Sequence, residues 1–230
     1  MDALEMLANN IANQTTAGYK ADREFYRLFR TPDAGVDGPP PPSLPVMESH
    51  WTDFSQGSLT PTGNPLDLAI SGDGFFTVRG PGGLLYSRNG QFHVPSDGVL
   101  ATTEGYPVLD RSGSPVQVDP TRPVEVSPDG AVHQDGAAVG EIGVVQFADP
   151  SALSKVAGTY FRSEQPGLSP TAAGDAEIQQ GRLEGANASP AEAAVRLVGV
   201  MRQFEMLQRA VQLGSEMSRR AVEEVARVTG

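Results

Sequence analysis

The chain has 230 residues, with 17 basic and 28 acidic side chains, a formal net charge of −11 and no cysteine. The acidic balance argues against binding to nucleic acid or anionic lipid, because both bind basic surfaces. The absence of cysteine excludes disulfides, thiolate catalysis and cysteine-ligated zinc sites.

The first predicted element is a helix over residues 2–14, which Gly18 is expected to end. The apolar residues of its contact face recur three and four positions apart, and they are Leu4, Leu7 and Ile11. Three asparagines, Asn9, Asn10 and Asn13, are unusual in a helix because their side chains compete for backbone hydrogen bonds. They form either the polar face of an exposed helix or groups that fix the register of a helix contact.

The following region divides into an arm and a linker. Residues 19–30 mix aromatic and charged side chains and leave two alternatives, a second short helix or an extended arm. We assign residues 1–30 to an N-terminal helical assembly segment and residues 31–50 to a linker rich in proline and glycine. The proline run at residues 39–42 favours a stiff polyproline II rod over a flexible hinge.

Residues 51–185 are predicted to form a β-rich body domain. Turn signals recur roughly every ten residues, which is typical of an antiparallel meander, sandwich or small barrel. The pair Asn89-Gly90 lies between the apolar segments 84–86 and 92–94 and predicts a type I′ hairpin. The predicted fold class is therefore mainly β with α-helical termini.

Residues 186–230 are predicted to contain a long assembly helix that begins after Ser189, a good N-cap, with Pro190 at its first position. An apolar seam recurs at alternating spacings of three and four, as in a coiled coil. The seam comprises Leu197, Val200, Phe204, Leu207, Val211, Gly214, Ser218, Ala221, Val225 and Val228. Such a helix would reach roughly 57 Å. Its seam therefore requires a partner, either the other terminal helix or another copy of the chain.

We predict an assembly interface on these two helices. It comprises Leu4, Leu7, Asn9, Asn10, Ile11, Asn13, Leu197, Val200, Phe204, Leu207, Val211 and Val225. No catalytic, cofactor-binding or metal-binding residue is predicted. The three histidines, His50, His93 and His133, are not at ligand spacing. The Asp-Gly pairs lack the ligand pattern of an EF-hand and are interpreted as turns.

Several short motifs follow one another along nearly the whole chain. Residues 7–13 have the sequence LANNIAN, and residues 15–20 have the sequence TTAGYK. Further motifs occupy residues 56–59, 62–70, 72–76, 86–92, 105–109 and 181–187. Each motif is short, but the ordered set is specific. It resembles the bacterial flagellar rod and hook family, and within that family the basal-body rod proteins, with the proximal-rod subunit favoured over the distal-rod subunit.

The resemblance implies a structural subunit that polymerises through its terminal helices into the axial drive shaft and transmits torque to the hook. Its implied partners are other rod subunits and further copies of itself, without nucleic acid or membrane insertion. The first residues show neither the basic region nor the apolar region of a signal peptide, so no cleaved signal is expected. The expected location is thus the periplasmic rod, reached through the flagellar export apparatus. Two alternatives remain: a secreted β-rich adhesin with a coiled-coil stalk, and a β-barrel enzyme with a convergent polar pocket.

Overall fold

A computed structural model describes residues 2–29, 44–165 and 169–228. The chain divides into two compact units. The terminal unit consists of Met1–Ile11 and Ser189–Gly230, and the body unit consists of Ala12–Ala188. The four-segment domain division drawn from the sequence stays a prediction.

The two predicted terminal helices are present. Helix α1 spans Asp2–Ala12, and helix α2 spans Pro190–Val228 with 39 residues. Ser189 caps α2 as expected, because its Oγ accepts a hydrogen bond from the Glu192 N–H at 3.4 Å. Helix α1 ends at Ala12, two residues before the predicted end at residue 14. None of the helices described has a segment that is both long and apolar enough to cross a bilayer.

The body unit is built from short strands. In the described residues they are β1 (Asp22–Phe29), β2 (Leu44–Thr52), β3 (Leu59–Pro61), β4 (Leu68–Ser71), β5 (Phe75–Gly80), β6 (Gly83–Ser87), β7 (Phe92–His93), β8 (Ala101–Thr102), β9 (Glu125–Val126), β10 (Ala131–Gln134), β11 (Ala137–Glu141), β12 (Val144–Gln146), β13 (Leu153–Ala157), β14 (Tyr160–Ser163), β15 (Thr171–Ala172), β16 (Glu177–Gln180) and β17 (Arg182–Glu184). A 3-10 turn, Pro150–Ala152, precedes β13.

The largest sheet has six strands in the order β13-β14-β6-β5-β12-β15, and every neighbouring pair is antiparallel. Smaller sheets have the orders β11-β10-β9, β1-β2, β16-β4, β17-β3 and β7-β8. The predicted mainly β fold with helical termini and antiparallel strands is confirmed. The six-stranded sheet is open at β13 and β15, so the small-barrel form of the prediction is not realised in the described residues.

Two hydrophobic clusters stabilise the body unit. The larger one contains the buried aliphatic and aromatic residues that include Leu68, Ile70, Phe76, Val78 and Leu100. The smaller one is mainly aromatic and comprises Phe75, Tyr86, Phe147, Leu153 and Phe161, with Phe54 packed against it. The Phe54 ring meets the rings of Phe75 and Phe161 edge to face, with centroids 5.5 and 5.0 Å apart.

Residues 22–29 form a strand, whereas the sequence predicts a helical segment there, with an extended arm as the alternative. Strand β1 pairs antiparallel with β2 from Asp22 opposite Thr52 to Phe29 opposite Leu44. Residues 44–50, assigned to the linker, thus belong to a strand. Sheet pairing satisfies the backbone hydrogen bonds of both segments, and aromatic residues favour strands. The proline run lies outside the described residues.

The hairpin predicted at Asn89-Gly90 is wrong. Strand β6 pairs with β5 and β14, whereas β7 pairs with β8, and neither Asn89 nor Gly90 has the positive φ of a type I′ turn. Gly90 instead packs against the backbone, where a Cβ would lie 1.8 Å from the Leu68 carbonyl oxygen. The Asp135-Gly136 pair does have positive φ at both residues, 50° and 78°, and joins β10 to β11.

Candidate functional site

The body unit contains a buried ion cluster between residues that are far apart in sequence. The Lys20 ammonium lies 2.6 Å from Glu184 Oε1, and Arg88 Nη1 lies 3.2 Å from Glu184 Oε2. All three side chains are at least 97% buried. The Gly57 N–H also donates to Glu184 Oε1, at 2.9 Å. Glu184 is thus the central acceptor of a group that we call the buried joint.

Both cations of the buried joint have further partners. Lys20 Nζ donates to the Ser55 carbonyl oxygen at 2.6 Å, and Arg88 Nη2 donates to the Gly72 carbonyl oxygen at 2.7 Å. The Arg88 guanidinium also lies 5.5 Å from the centre of the Phe75 ring. Burial lowers the pKa of Lys20 and of Arg88, and the charge of Glu184 opposes that shift. The carboxylate therefore offsets the cost of burying two cations.

Asn187 adds a second tie between the same chain segments, and we include it in the buried joint. Its Oδ1 accepts from the Ala21 N–H at 2.7 Å, and its Nδ2 donates to the Asp53 carbonyl oxygen at 2.7 Å. Its own N–H donates to the Tyr19 carbonyl oxygen at 3.3 Å. One side chain therefore holds the segment after α1 and the segment after β2.

Lys155, on strand β13, supports this arrangement from the six-stranded sheet. Its ammonium donates to the Lys20 carbonyl oxygen and to Asp22 Oδ2, each at 2.8 Å, and lies 4.6 Å from the centre of the Tyr19 ring. Burial, with the charge of Asp22, raises the pKa of Tyr19 to about 12. Burial also lowers the pKa of Lys155, against the effect of Asp22. The phenol of Tyr19 therefore stays neutral beside the cation at neutral pH.

Gly18 permits a close backbone approach at the joint. Its N–H donates to the Glu184 carbonyl oxygen at 2.7 Å, and its φ is +68°. A Cβ at this position would lie 2.2 Å from the Asn89 nitrogen, which no side chain tolerates. Glycine is required here both for the left-handed backbone and for the contact.

The buried joint unites three of the motifs found in the sequence. Lys20 belongs to the motif at 15–20, Arg88 to that at 86–92, and Glu184 to that at 181–187. Sequence reasoning singled out the motifs but did not predict that their charged residues meet. The available signal was a lone basic side chain in each of the first two motifs and an acidic one in the third, all within two residues of a glycine.

The predicted interface residues of the first helix lie on different sides of it. Leu7 and Asn10 are buried, Ile11 and Asn13 are half-buried, and Asn9 is exposed. Asn13 follows α1, and its Oδ1 accepts from the Thr16 hydroxyl at 3.3 Å. The side chain of Leu4 lies outside the described part of the structure.

The predicted interface residues of α2 become more exposed along the helix. Leu197 and Val200 are half-buried, whereas Leu207 and Val211 are 59% and 72% exposed. The side chains of Phe204 and Val225 are outside the described part. An exposed apolar seam of this kind is typical of a surface that another helix covers. Across the described residues, no group of three or more histidine, aspartate or glutamate side chains is placed to hold a metal ion.

Comparisons with known proteins identify the family. A family model for the flagellar hook protein FlgE/F/G D1 domain matches residues 69–134, and one for the flagellar basal body rod FlgEFG protein C-terminal region matches residues 179–224. The flagellar basal-body rod protein FlgF of Caulobacter vibrioides is 36% identical over 227 residues, which cover 98% of this chain and 92% of that protein.

Two further relatives agree. The FlgF protein of Mesorhizobium japonicum is 34% identical over 88% of this chain and 83% of its own length. The flagellar basal-body rod protein FlgG of Agrobacterium fabrum is 31% identical over 94% of this chain and 90% of its own length. The family resemblance predicted from the motifs is therefore confirmed. The chain belongs to the flagellar basal-body rod protein family.

Proposed function

We propose that the chain polymerises through its terminal helices into the axial drive shaft of the flagellum and transmits torque to the hook. Its family makes it a structural rod protein of the flagellar basal body and not an enzyme. Identity is higher with the FlgF relatives than with the FlgG relative, which favours the proximal-rod subunit. Neither the adhesin nor the enzyme alternative gains support.

The observation that carries the proposal is the exposed seam of α2. Ala193 is buried near the start of the helix, while Leu207 and Val211 further along are largely exposed. Burying a Leu or Val side chain contributes about 1.5–3 kcal/mol relative to leaving it exposed. A helix of 39 residues reaches about 58 Å, much longer than the 11-residue helix α1. The far part of its seam therefore needs another partner helix. Coiled-coil packing with neighbouring subunits would supply that partner.

The buried joint gives the body unit a defined role in this proposal. It fixes the segment that follows α1 and the segment that leads to α2 in one rigid group, through Lys20, Glu184 and Asn187. Force applied to the body would then reach both chain ends through the same hydrogen-bonded group.

Family membership places the protein in the flagellar basal body with other rod subunits as partners. The finer features are part of the proposal: contacts with further copies of the same chain, a position in the periplasmic part of the rod, and export by the flagellar apparatus without a cleaved signal.

The test replaces a seam residue by a charge. Leu207→Asp and Phe204→Asp, expressed in cells that lack the native gene, should remove the protein from purified basal bodies and abolish motility. Gln212→Asp, at an exposed position off the seam, is the matched control and should be incorporated as the unmodified chain is. Immunoblots of basal bodies and swimming assays give the readouts, and normal incorporation of Leu207→Asp would overturn the proposal.

A further inference from the structure

Helix α2 carries a second apolar surface besides its seam. Met206 and Leu213 are 63% and 60% exposed, and Val195 and Met217 are also exposed. We call the surface formed by Val195, Arg202, Met206, Arg209, Leu213 and Met217 the second face. Near the helix start, Ala193 is buried whereas Val195 is 73% exposed, so the second face is already open to solvent there.

The second face lies on the opposite side of the helix from the seam. With about 100° per residue, the two positions from Val211 to Leu213 rotate the side chain by roughly 200°. Arg202, Met206, Arg209 and Leu213 follow at spacings of four, three and four, which keeps them on one side. One partner helix covers only one side of α2, so a second partner is needed.

The positive charge of the second face limits which surfaces can pack against it. Arg202 and Arg209 are exposed, and in the part of the chain that the structure describes neither makes an ion pair. Two copies of the second face packed in parallel and in register would place arginines against arginines. A partner that is acidic and has small side chains that admit Met206 and Leu213 therefore fits this face best.

Helix α1 has a surface of this kind. Glu5 and Ala8 are exposed, whereas Leu7 and Asn10 are buried. Helix α1 has 11 residues, or about 16 Å, and the step from Arg202 to Leu213 covers the same distance. An antiparallel alignment that places Ala8 opposite Met206 also places Glu5 opposite Arg209, three residues away on each helix.

We propose that the second face of α2 docks on the exposed face of α1 from a second copy of the chain, with Glu5 opposite Arg209 and Ala8 opposite Met206. The inference rests on the proposed function and names the second contact of the same helix. Burial of Met206 and Leu213 supplies the stabilisation, because an exposed ion pair contributes little. The pair of Glu5 and Arg209 selects the partner and the register.

Cysteine crosslinking tests the contact, since the chain has no cysteine of its own. In purified basal bodies, the variant with both Ala8→Cys and Met206→Cys should form disulfide-linked dimers on mild oxidation, because a disulfide needs Cα atoms within about 7 Å. Ala8→Cys combined with Gln212→Cys should form none. Dimers from Met206→Cys alone, or none from the Ala8 and Met206 pair, would overturn the inference.

Charge reversal provides the second measurement. Arg209→Glu sets two carboxylates opposite each other, and this repulsion, rather than the loss of the ion pair, should lower incorporation into basal bodies about tenfold, or about 1.4 kcal/mol. Adding Glu5→Arg in the same chain should restore it, whereas Gln212→Glu, the control, should have no effect. Failure of Glu5→Arg to rescue would contradict the inference. Absence of the unmodified chain from basal bodies would instead contradict the proposed function, so the two failures are distinguishable.

Discussion

The buried joint and the seam of α2 differ in what the single chain provides for them. At the joint, the Glu184 carboxylate receives Lys20, Arg88 and the Gly57 N–H, and all these partners come from the same body unit. Along the seam, Leu207 and Val211 remain largely exposed. The joint is complete before assembly, and the seam is not. Substitutions at the joint should therefore act on the stability of the monomer, and substitutions on the seam should act on assembly.

The largest effect is expected at the centre of the joint. Glu184→Gln preserves the shape of the side chain but leaves the cations of Lys20 and Arg88 buried without a counter-charge. Breaking a buried pair in this way costs about 3–5 kcal/mol of unfolding free energy. Urea unfolding followed by circular dichroism measures it.

The control is Glu141→Gln, which removes the exposed ion pair with Arg111 at 2.7 Å and should change stability by less than about 1 kcal/mol. Leu207→Asp should leave the unfolding midpoint of the monomer unchanged. If Glu184→Gln and Glu141→Gln lowered the free energy of unfolding equally, the buried joint would be no more important for stability than an exposed ion pair.

A somewhat smaller effect is expected for Gly18→Ala. The added Cβ would be strained by the φ of +68° and would overlap the backbone of Asn89, with an expected cost of about 2–4 kcal/mol. Gly63→Ala separates the two causes, because Gly63 has a φ of +75° but open space around it. Only the conformational cost of about 1–2 kcal/mol should remain there. Thermal unfolding of both variants compares them, and similar losses would show that the close approach at Gly18 contributes nothing.

The smallest expected effect is a loss of folding stability at low pH, and it comes from Asp53 at the edge of the buried joint. Burial acts to raise the pKa of Asp53, but hydrogen bonds from Ser55 and Arg23 outweigh it and hold the pKa below its ordinary value. The stabilisation is therefore complete above the unfolded pKa of about 3.9 and is lost as the pH falls through the lower folded pKa. Asp53→Asn should lose less stability than the unmodified chain between pH 5 and pH 2, a range set roughly by those values. If the free energy of unfolding fell equally with pH in Asp53→Asn and in the unmodified chain, Asp53 would not be a source of the acid dependence.

Elements with a strong local pattern could be predicted, and contacts between distant segments could not. The cap at Ser189 and the long heptad seam identified α2 because both signals lie within the helix. The hairpin predicted at Asn89-Gly90 does not form, because Gly90 instead packs closely against the backbone of Leu68. That contact is between distant parts of the sequence and gives no local signal. Strand β1 was not predicted as a strand, because the strand it pairs with, β2, follows only after a proline-rich segment of the sequence.

The buried joint illustrates the same limit. Lys20, Arg88 and Glu184 look like ordinary surface charges in a sequence, and only the folded chain removes them from water. The order of the family motifs indicated which segments matter, but one sequence does not say which side chains meet. The partner on the second face of α2 is likewise a property of two chains, and exposure in the structure was needed to suggest it.

The separation of the joint residues has a consequence for how the chain folds. Lys20 and Glu184 are 164 positions apart, so their contact closes a very long loop. Proteins rich in such distant contacts fold slowly, because the entropy of loop closure is lost before the contact forms. A chain that is still emerging cannot form the ion pairs of Lys20 and Arg88 until residue 184 is available. Until then Lys20 and Arg88 have no carboxylate from β17.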